Sequence, residues 1–186
     1  NVLLGNDAHP FLVGLHYSFQ SPLKLYFVMD YVNGGELYFH LNRDKKFDVP
    51  RTLFYTAEIV SALGYLHGHH IIYRDLKPEN IFVLSEPIGS VTVKVLDFGI
   101  AKLAHTHPEA SDSNLTRGDM IFGTPQYMAP EQIRGDQQAD ARADLYALGC
   151  VLFEMLAGHP PFRGETFAKI FDQHLHAPVP RLDDQA

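Results

Sequence analysis

The chain has 186 residues, 46% of them hydrophobic and 20% charged, and a formal net charge of −7. That length suits one domain with a sizeable core, and the composition is globular rather than disordered. The acidic balance carries no nucleic-acid footprint, and the single cysteine, Cys150, excludes a disulfide framework.

Residues 11–32 hold two runs, FLVGLHYSF and LKLYFVMDYV, rich in aromatic and β-branched residues and separated by Gln20-Ser21-Pro22. They predict a hairpin. Asn33-Gly34-Gly35 breaks the pattern, and a short helix is expected from Glu36, ending before Phe47. Asp48 is placed to cap a second helix with Pro50 in its first turn. Within it Phe54, Ala57, Val60, Leu63, Gly64 and Leu66 recur at helical spacing and make the expected core stripe. The octet YRDLKPEN, Tyr73 to Asn80, follows at once, with five charged or amide-bearing residues between two apolar segments. NIFVL and VTVKVL then read as two strands joined through Pro87 and Gly89, and the polar stretch from His105 to Asp119 as a loop. ADLYALGCVLFEMLAG is apolar all round, which predicts a central buried helix stopped by Gly158. Its apolar core, Leu145 to Ala157, is too short to span a bilayer and carries Glu154. ETFAKIFDQHL gives one more amphipathic helix. The sum is an α+β chain, strand-rich at the start and mostly helical after it.

A solvated charge run is the ordinary reading of YRDLKPEN, and turn chemistry explains an Asp or an Asn singly. Neither explains the company it keeps. Asp75 and Asn80 stand five apart, Asp97-Phe98-Gly99 follows behind a strand, and Gly123-Thr124-Pro125 and Ala129-Pro130-Glu131 come next. In that order these pieces resemble the eukaryotic-type protein kinases, and the likeness covers essentially the whole chain. The resemblance implies ATP and Mg²⁺ as cofactors and protein serine and threonine hydroxyls as acceptors, with Asp75 and Lys77 as catalytic residues and Asn80 and Asp97 as metal ligands. Hard Mg²⁺ takes oxygen ligands, few of them from protein. It further implies Met29 behind the adenine pocket, Asp30 and Val32 as hinge positions, Phe82 and Leu96 as the pocket floor, and Glu36 beside the nucleotide. Core packing is the bland alternative for Met29, Phe82 and Leu96. Thr124 matches a threonine that meets the catalytic Asp and Lys, and Asp144 a residue that holds the catalytic-loop backbone. Arg74 matches the class in which an arginine cluster captures an activation-loop phosphate; Thr116, ahead of Ser111 and Ser113, is the expected acceptor, against an unmodified loop. Glu36, Glu79 and Glu154 match three positions that bind arginines upstream of the acceptor, against ordinary surface glutamates.

The resemblance has two accents. Residues 1 to about 84 are similar to the AGC group, serum- and glucocorticoid-induced kinases especially, and the part from VKVLDFGIAKL onward to bacterial Ser/Thr kinases of myxobacterial type. It implies that residues 1–32 are the end of an N-lobe with its hinge and 33–186 a C-lobe, within a partial kinase domain working in the cytoplasm or on the cytoplasmic face of a membrane. A glycine-rich loop and a nucleotide-binding lysine are then expected before Asn1, and closing helices after Ala186. Glu131 would pair with an arginine of that later region, and leaving it buried alone would cost on the order of 3–5 kcal/mol, so the isolated chain is expected to be unstable and nearly inactive. The alternative to an active kinase is a kinase-like scaffold, which need not keep Asp75, Lys77, Asn80 and Asp97. Lys94 mimics a nucleotide-binding lysine from the wrong side of the hinge, and the histidines at 67, 69, 70, 105 and 107 lack a second ligand cluster at zinc spacing.

Overall fold

The computed structural model describes residues 9–85, 91–96, 124–136 and 140–182. Strands β1 (Leu15–Gln20) and β2 (Leu25–Met29) pair antiparallel as the expected hairpin, closed by Ser21 N–H donating to the Lys24 carbonyl at 2.8 Å. Helix α1 (Leu37–Asp44) follows, then α2 (Val49–Gly68), whose N-cap Asp48 accepts from Arg51 N–H at 2.9 Å. A 3₁₀ turn at Pro78–Asn80 leads into β3 (Ile81–Ser85), which pairs antiparallel with β4 (Val91–Val95). A second 3₁₀ turn, Pro125–Tyr127, precedes the short α3 (Pro130–Ile133), the long α4 (Ala141–Ala157) and α5 (Phe167–His176). Among the described residues no helix is long and apolar enough to cross a membrane.

The core forms where two periodicities meet. In the β3–β4 pair Ile81 faces Val95 and Val83 faces Val93, and all four are at most 2% exposed, as alternation on a one-sided sheet requires. Helix α2 lies on β4 and α4, burying Tyr55, Ile59, Ala62, Leu63 and Leu66. The expected stripe is therefore corrected. Leu63 and Leu66 belong to it, but Phe54 and Val60 are 49% and 47% exposed, and Ala57 and Gly64 are also exposed. The buried face runs instead through Thr52, Tyr55, Glu58, Ile59 and Ala62, rotated on the helix by its two packing partners. An apolar count cannot locate a face that includes a threonine and a glutamate.

Glu58 is buried because the end of β4 needs an acceptor there. Its carboxylate accepts from Val93 N–H at 2.6 Å and from Thr92 Oγ1 at 3.1 Å. Burial pushes its pKa up, and the hydrogen bonds from Val93 and Thr92 only partly offset that. A carboxyl whose folded pKa is raised adds stability below its unfolded pKa and loses it as pH rises through the folded value. The charged form is thus a net cost at neutral pH.

Segment 11–13 is stitched to β4: Val13 N–H donates to the Val95 carbonyl at 3.1 Å, and Val95 N–H to that of Phe11 at 2.9 Å. At the far end, Phe47 N–H donates to the Met155 carbonyl at 2.8 Å, and α4 stops at Gly158, whose φ is 82°. A Cβ there would lie 2.6 Å from the Lys45 carbonyl oxygen, so the glycine is required both by its left-handed backbone and by the neighbouring chain. Cys150 is buried in α4, and burial, with the nearby Glu154 charge, pushes its thiol up to about 12.

Two outcomes are expected in denaturant melts of the full-length protein at pH 7. Gly158→Ala loses roughly 2 kcal/mol or more, the left-handed penalty and the overlap together. Glu58→Gln melts at or above the parent, whereas Glu58→Leu strands the Val93 donor and loses about 1–3 kcal/mol.

Candidate functional site

The octet is threaded by alternating anchors. Tyr73 and Leu76 are each 1% exposed and enter the core, so Arg74 and Asp75 between them are turned outward. The Tyr73 hydroxyl donates to the Leu96 carbonyl, and Leu96 N–H to the Asn80 carbonyl at 2.8 Å, joining both ends of the loop to the end of β4. Arg74 sits at φ 68°, a backbone that a residue with a side chain adopts at a cost. Its peptide groups are held on both sides: N–H donates to Asp144 Oδ1 at 2.7 Å, and the carbonyl accepts from Gln132 Nε2 at 3.3 Å.

Asp144 lies in the first turn of α4 and is fully buried. Its other oxygen accepts from Tyr73 N–H and from His67 Nε2, both at 2.8 Å. One carboxylate thus ties the end of α2, the loop backbone and α4 together.

Beside it the expected catalytic residues converge. Asn80, 7% exposed, donates its amide N–H to the Asp75 carbonyl at 2.8 Å and to Asp75 Oδ2 at 3.2 Å. Lys77 Nζ is 3.6 Å from Asp75 Oδ2 and donates to Thr124 Oγ1 at 3.0 Å. With the Asn80 nitrogen spent on Asp75, its amide oxygen is the end left to act as a hard ligand. A small open cleft adjoins Asp75, lined by Arg74, Leu76, Thr124, Tyr127, Met128 and Gln132. Asp97 and Thr116 lie outside the described residues.

Met29, Val32, Phe82 and Leu96 are half-buried and do not join the core, unlike Ile81, Val83 and Val95 beside them. Asp30 N–H donates to the Gly14 carbonyl at 3.0 Å, and its carboxylate accepts from Gly14 N–H at 3.0 Å and His16 Nε2 at 2.7 Å. Glu36 caps α1 without a side-chain bond and bridges to Phe82, next to the turn that carries Glu79. Glu154, 7% exposed, accepts from the Tyr127 hydroxyl at 2.5 Å, while Glu79 Oε2 is buried with no hydrogen-bond partner among the described residues. Burial raises the Glu154 pKa, and the Glu79 charge raises it further against the Tyr127 bond. The Glu79 and Glu154 charges thus act against each other, with His159 partly offsetting them at Glu154.

Glu131 is half-buried at the first turn of α3, and the charge of Arg142 at the start of α4 interacts with it. Its expected arginine partner lies outside the described residues. Of the histidines, His67 serves Asp144 and His69 Nδ1 meets the Tyr65 carbonyl at 2.8 Å, while Lys94 Nζ approaches the Leu12 carbonyl at 3.4 Å. Sequence reasoning missed Gln132 and the Tyr127–Glu154 bond. Tyr127 and Gln132 flank the Ala-Pro-Glu motif, so their proximity to it was the available signal.

A family model described as Protein kinase domain matches residues 2–184. Relatives include serine/threonine-protein kinase Sgk3 of Rattus norvegicus, 54% identical over 179 residues covering 96% of this chain and 34% of the relative. Sgk2 of Mus musculus is 52% identical over 96% of this chain and 46% of its own length, and Sgk1 of Homo sapiens 50% over 96% and 39%. The chain spans about a third to just under half of these relatives. Since the matched 179 residues are 96% of the chain, the likeness to these kinases runs through both halves; the bacterial accent of the second half stays an expectation from the sequence.

Asp144→Ala is expected to strand the Tyr73 and Arg74 donors, lowering stability by roughly 2–5 kcal/mol, measurable by urea titration of the full-length protein. Asp144→Asn, which keeps one acceptor oxygen, falls between.

Proposed function

Because this chain belongs to the protein kinase domain family, we propose that it carries out ATP-dependent phosphorylation of serine and threonine hydroxyls in protein substrates. The observation that carries this reading is the meeting of Asp75, Lys77, Asn80 and Thr124 beside one cleft. In this reading residues 1–32 end an N-lobe and include its hinge, and 33–186 form a C-lobe. The reaction takes place in the cytoplasm or on the cytoplasmic face of a membrane in this reading.

Asp75 orients the acceptor hydroxyl and takes its proton on a carboxylate oxygen as the new oxygen–phosphorus bond forms and the bond from the γ-phosphorus to the departing ADP oxygen breaks. Asn80 holds that carboxylate by its amide N–H, and its own oxygen, with Asp97, would hold the metal. Lys77 and Thr124, already bonded, fix the edge along which the acceptor lies. Mg²⁺, when bound, neutralises charge on the phosphates; positioning and electrostatics, more than covalent chemistry, lower this barrier. Met29, Phe82 and Leu96, each half-buried, would meet adenine, with the Asp30 and Val32 backbone at its edge and Glu36 at the sugar. Arg74, exposed beside Asp75, is the receiver for a phosphate on Thr116.

Basic residues near the acceptor are preferred substrates in this reading. The support is the unpartnered Glu79 oxygen close to the buried Glu154, with Glu36 beside the same turn. An arginine would satisfy the one and relieve the repulsion between the two.

In the full-length protein Asp75→Asn is expected to lower turnover by about 10²–10⁴-fold while Mg-ATP binding persists. Radiolabel transfer to peptides and nucleotide titration measure the two; turnover kept at the parent rate would refute the assignment. Glu79→Gln should shrink the preference for an arginine-bearing peptide over its alanine analogue by about tenfold, read as a ratio of kcat/KM.

A further inference from the structure

Beneath the turn that carries Thr124 and Tyr127 lies a polar pair that the catalytic reading does not use. His174 of α5 is 6% exposed, and its ring meets Phe162 edge-on at 4.8 Å. Its Nδ1 is 2.7 Å from the hydroxyl of Tyr146, which projects from α4. Its Nε2 is buried and makes no regular hydrogen bond among the described residues, although the backbone carbonyls of Pro125 and Gln126 already act on the ring as acceptors. A buried donor held short of its acceptors gains when they close on it.

The chemistry of the neighbours selects one tautomer. Carbonyls only accept, so a nitrogen turned to them must carry the proton, and Nδ1 must then accept from the Tyr146 hydroxyl. Burial pushes the imidazole pKa down, which keeps the ring neutral. The turn above is thinly tied: Tyr127 N–H donates to the Thr124 carbonyl at 3.1 Å and Met128 N–H to that of Pro125 at 3.4 Å. From it Thr124 reaches Lys77 and Tyr127 reaches Glu154, so its height sets both the catalytic edge and the acidic pair.

We propose that His174 is a positioning residue for segment 124–128, held in place by Tyr146 and, as the Nε2–H tautomer that its carbonyl neighbours require, closing its bonds to Pro125 and Gln126 when an acceptor peptide seats the turn. This rests on the phosphotransfer reading above. The bond tightens in the peptide-bound state, so its loss falls on the peptide KM and leaves the nucleotide KM alone.

The test compares His174→Leu, His174→Gln, Tyr146→Phe and the Tyr146→Phe/His174→Leu double variant in the full-length protein. His174→Leu is expected to raise the peptide KM about five- to tenfold with the ATP KM within about twofold. His174→Gln, which restores an N–H donor, recovers most of the loss. Tyr146→Phe is intermediate, and adding it to His174→Leu costs nothing more, because its effect passes through the ring. Equal changes in both KM values, a glutamine no better than leucine, or additive losses would overturn the proposal. Hydrogen exchange of the Tyr127 and Met128 amides, with a saturating peptide, gives a readout independent of turnover. Faster exchange in His174→Leu and parent-like exchange in His174→Gln support the proposal, and identical exchange in both overturns it. If the parent transfers no phosphate, the functional reading fails on its own, and this exchange comparison still decides the role of His174.

Discussion

Everything around the candidate site depends on one buried carboxylate. Asp144 takes two consecutive backbone N–H groups of the loop and a histidine of α2 from a fully buried position at the start of α4. A charge in that place is tolerable only because donors meet it on every side, and the same donors would be unsatisfied without it. The interaction is therefore reciprocal: the helix start needs the loop as much as the loop needs the helix. It also holds Arg74 in its left-handed backbone, which turns Asp75 to the cleft.

Around that point the site is rigid on one side and open on the other. Tyr73 and Leu76 root the loop in the core, and β3 and β4 carry the residues that follow it. Thr124 and Tyr127, by contrast, stand on a 3₁₀ turn that Lys77 and Glu154 reach through side chains.

Much of this was legible in the sequence because the relevant signals are local. The hairpin at Gln20-Ser21-Pro22, the Asp48 cap and the Gly158 stop each depend on a few neighbouring residues, and each element forms where that chemistry places it. The grouping of Asp75, Lys77, Asn80 and Thr124 was legible for another reason, since the ordered motifs carry three-dimensional information that no single spacing holds. What was not legible was tertiary. The buried face of α2 includes Glu58 because Val93 and Thr92 of β4, more than thirty residues away, need an acceptor. Nor could a motif show that Gln132, one residue past Ala-Pro-Glu, reaches back to the Arg74 carbonyl.

Cys150 gives a practical consequence of the way α4 is packed. The thiolate is the reactive form of cysteine, and a buried thiol held near 12 presents almost none of it at neutral pH. The chain's single sulfhydryl is thus silent toward alkylating and oxidising reagents while the fold stands, and responds once the helix is exposed. Within this chain a cysteine placed on the surface would be the one reactive thiol, ready to carry a fluorophore or spin label without first removing the native residue. Slow labelling of Cys150 itself would then act as an internal clock for the opening of the core.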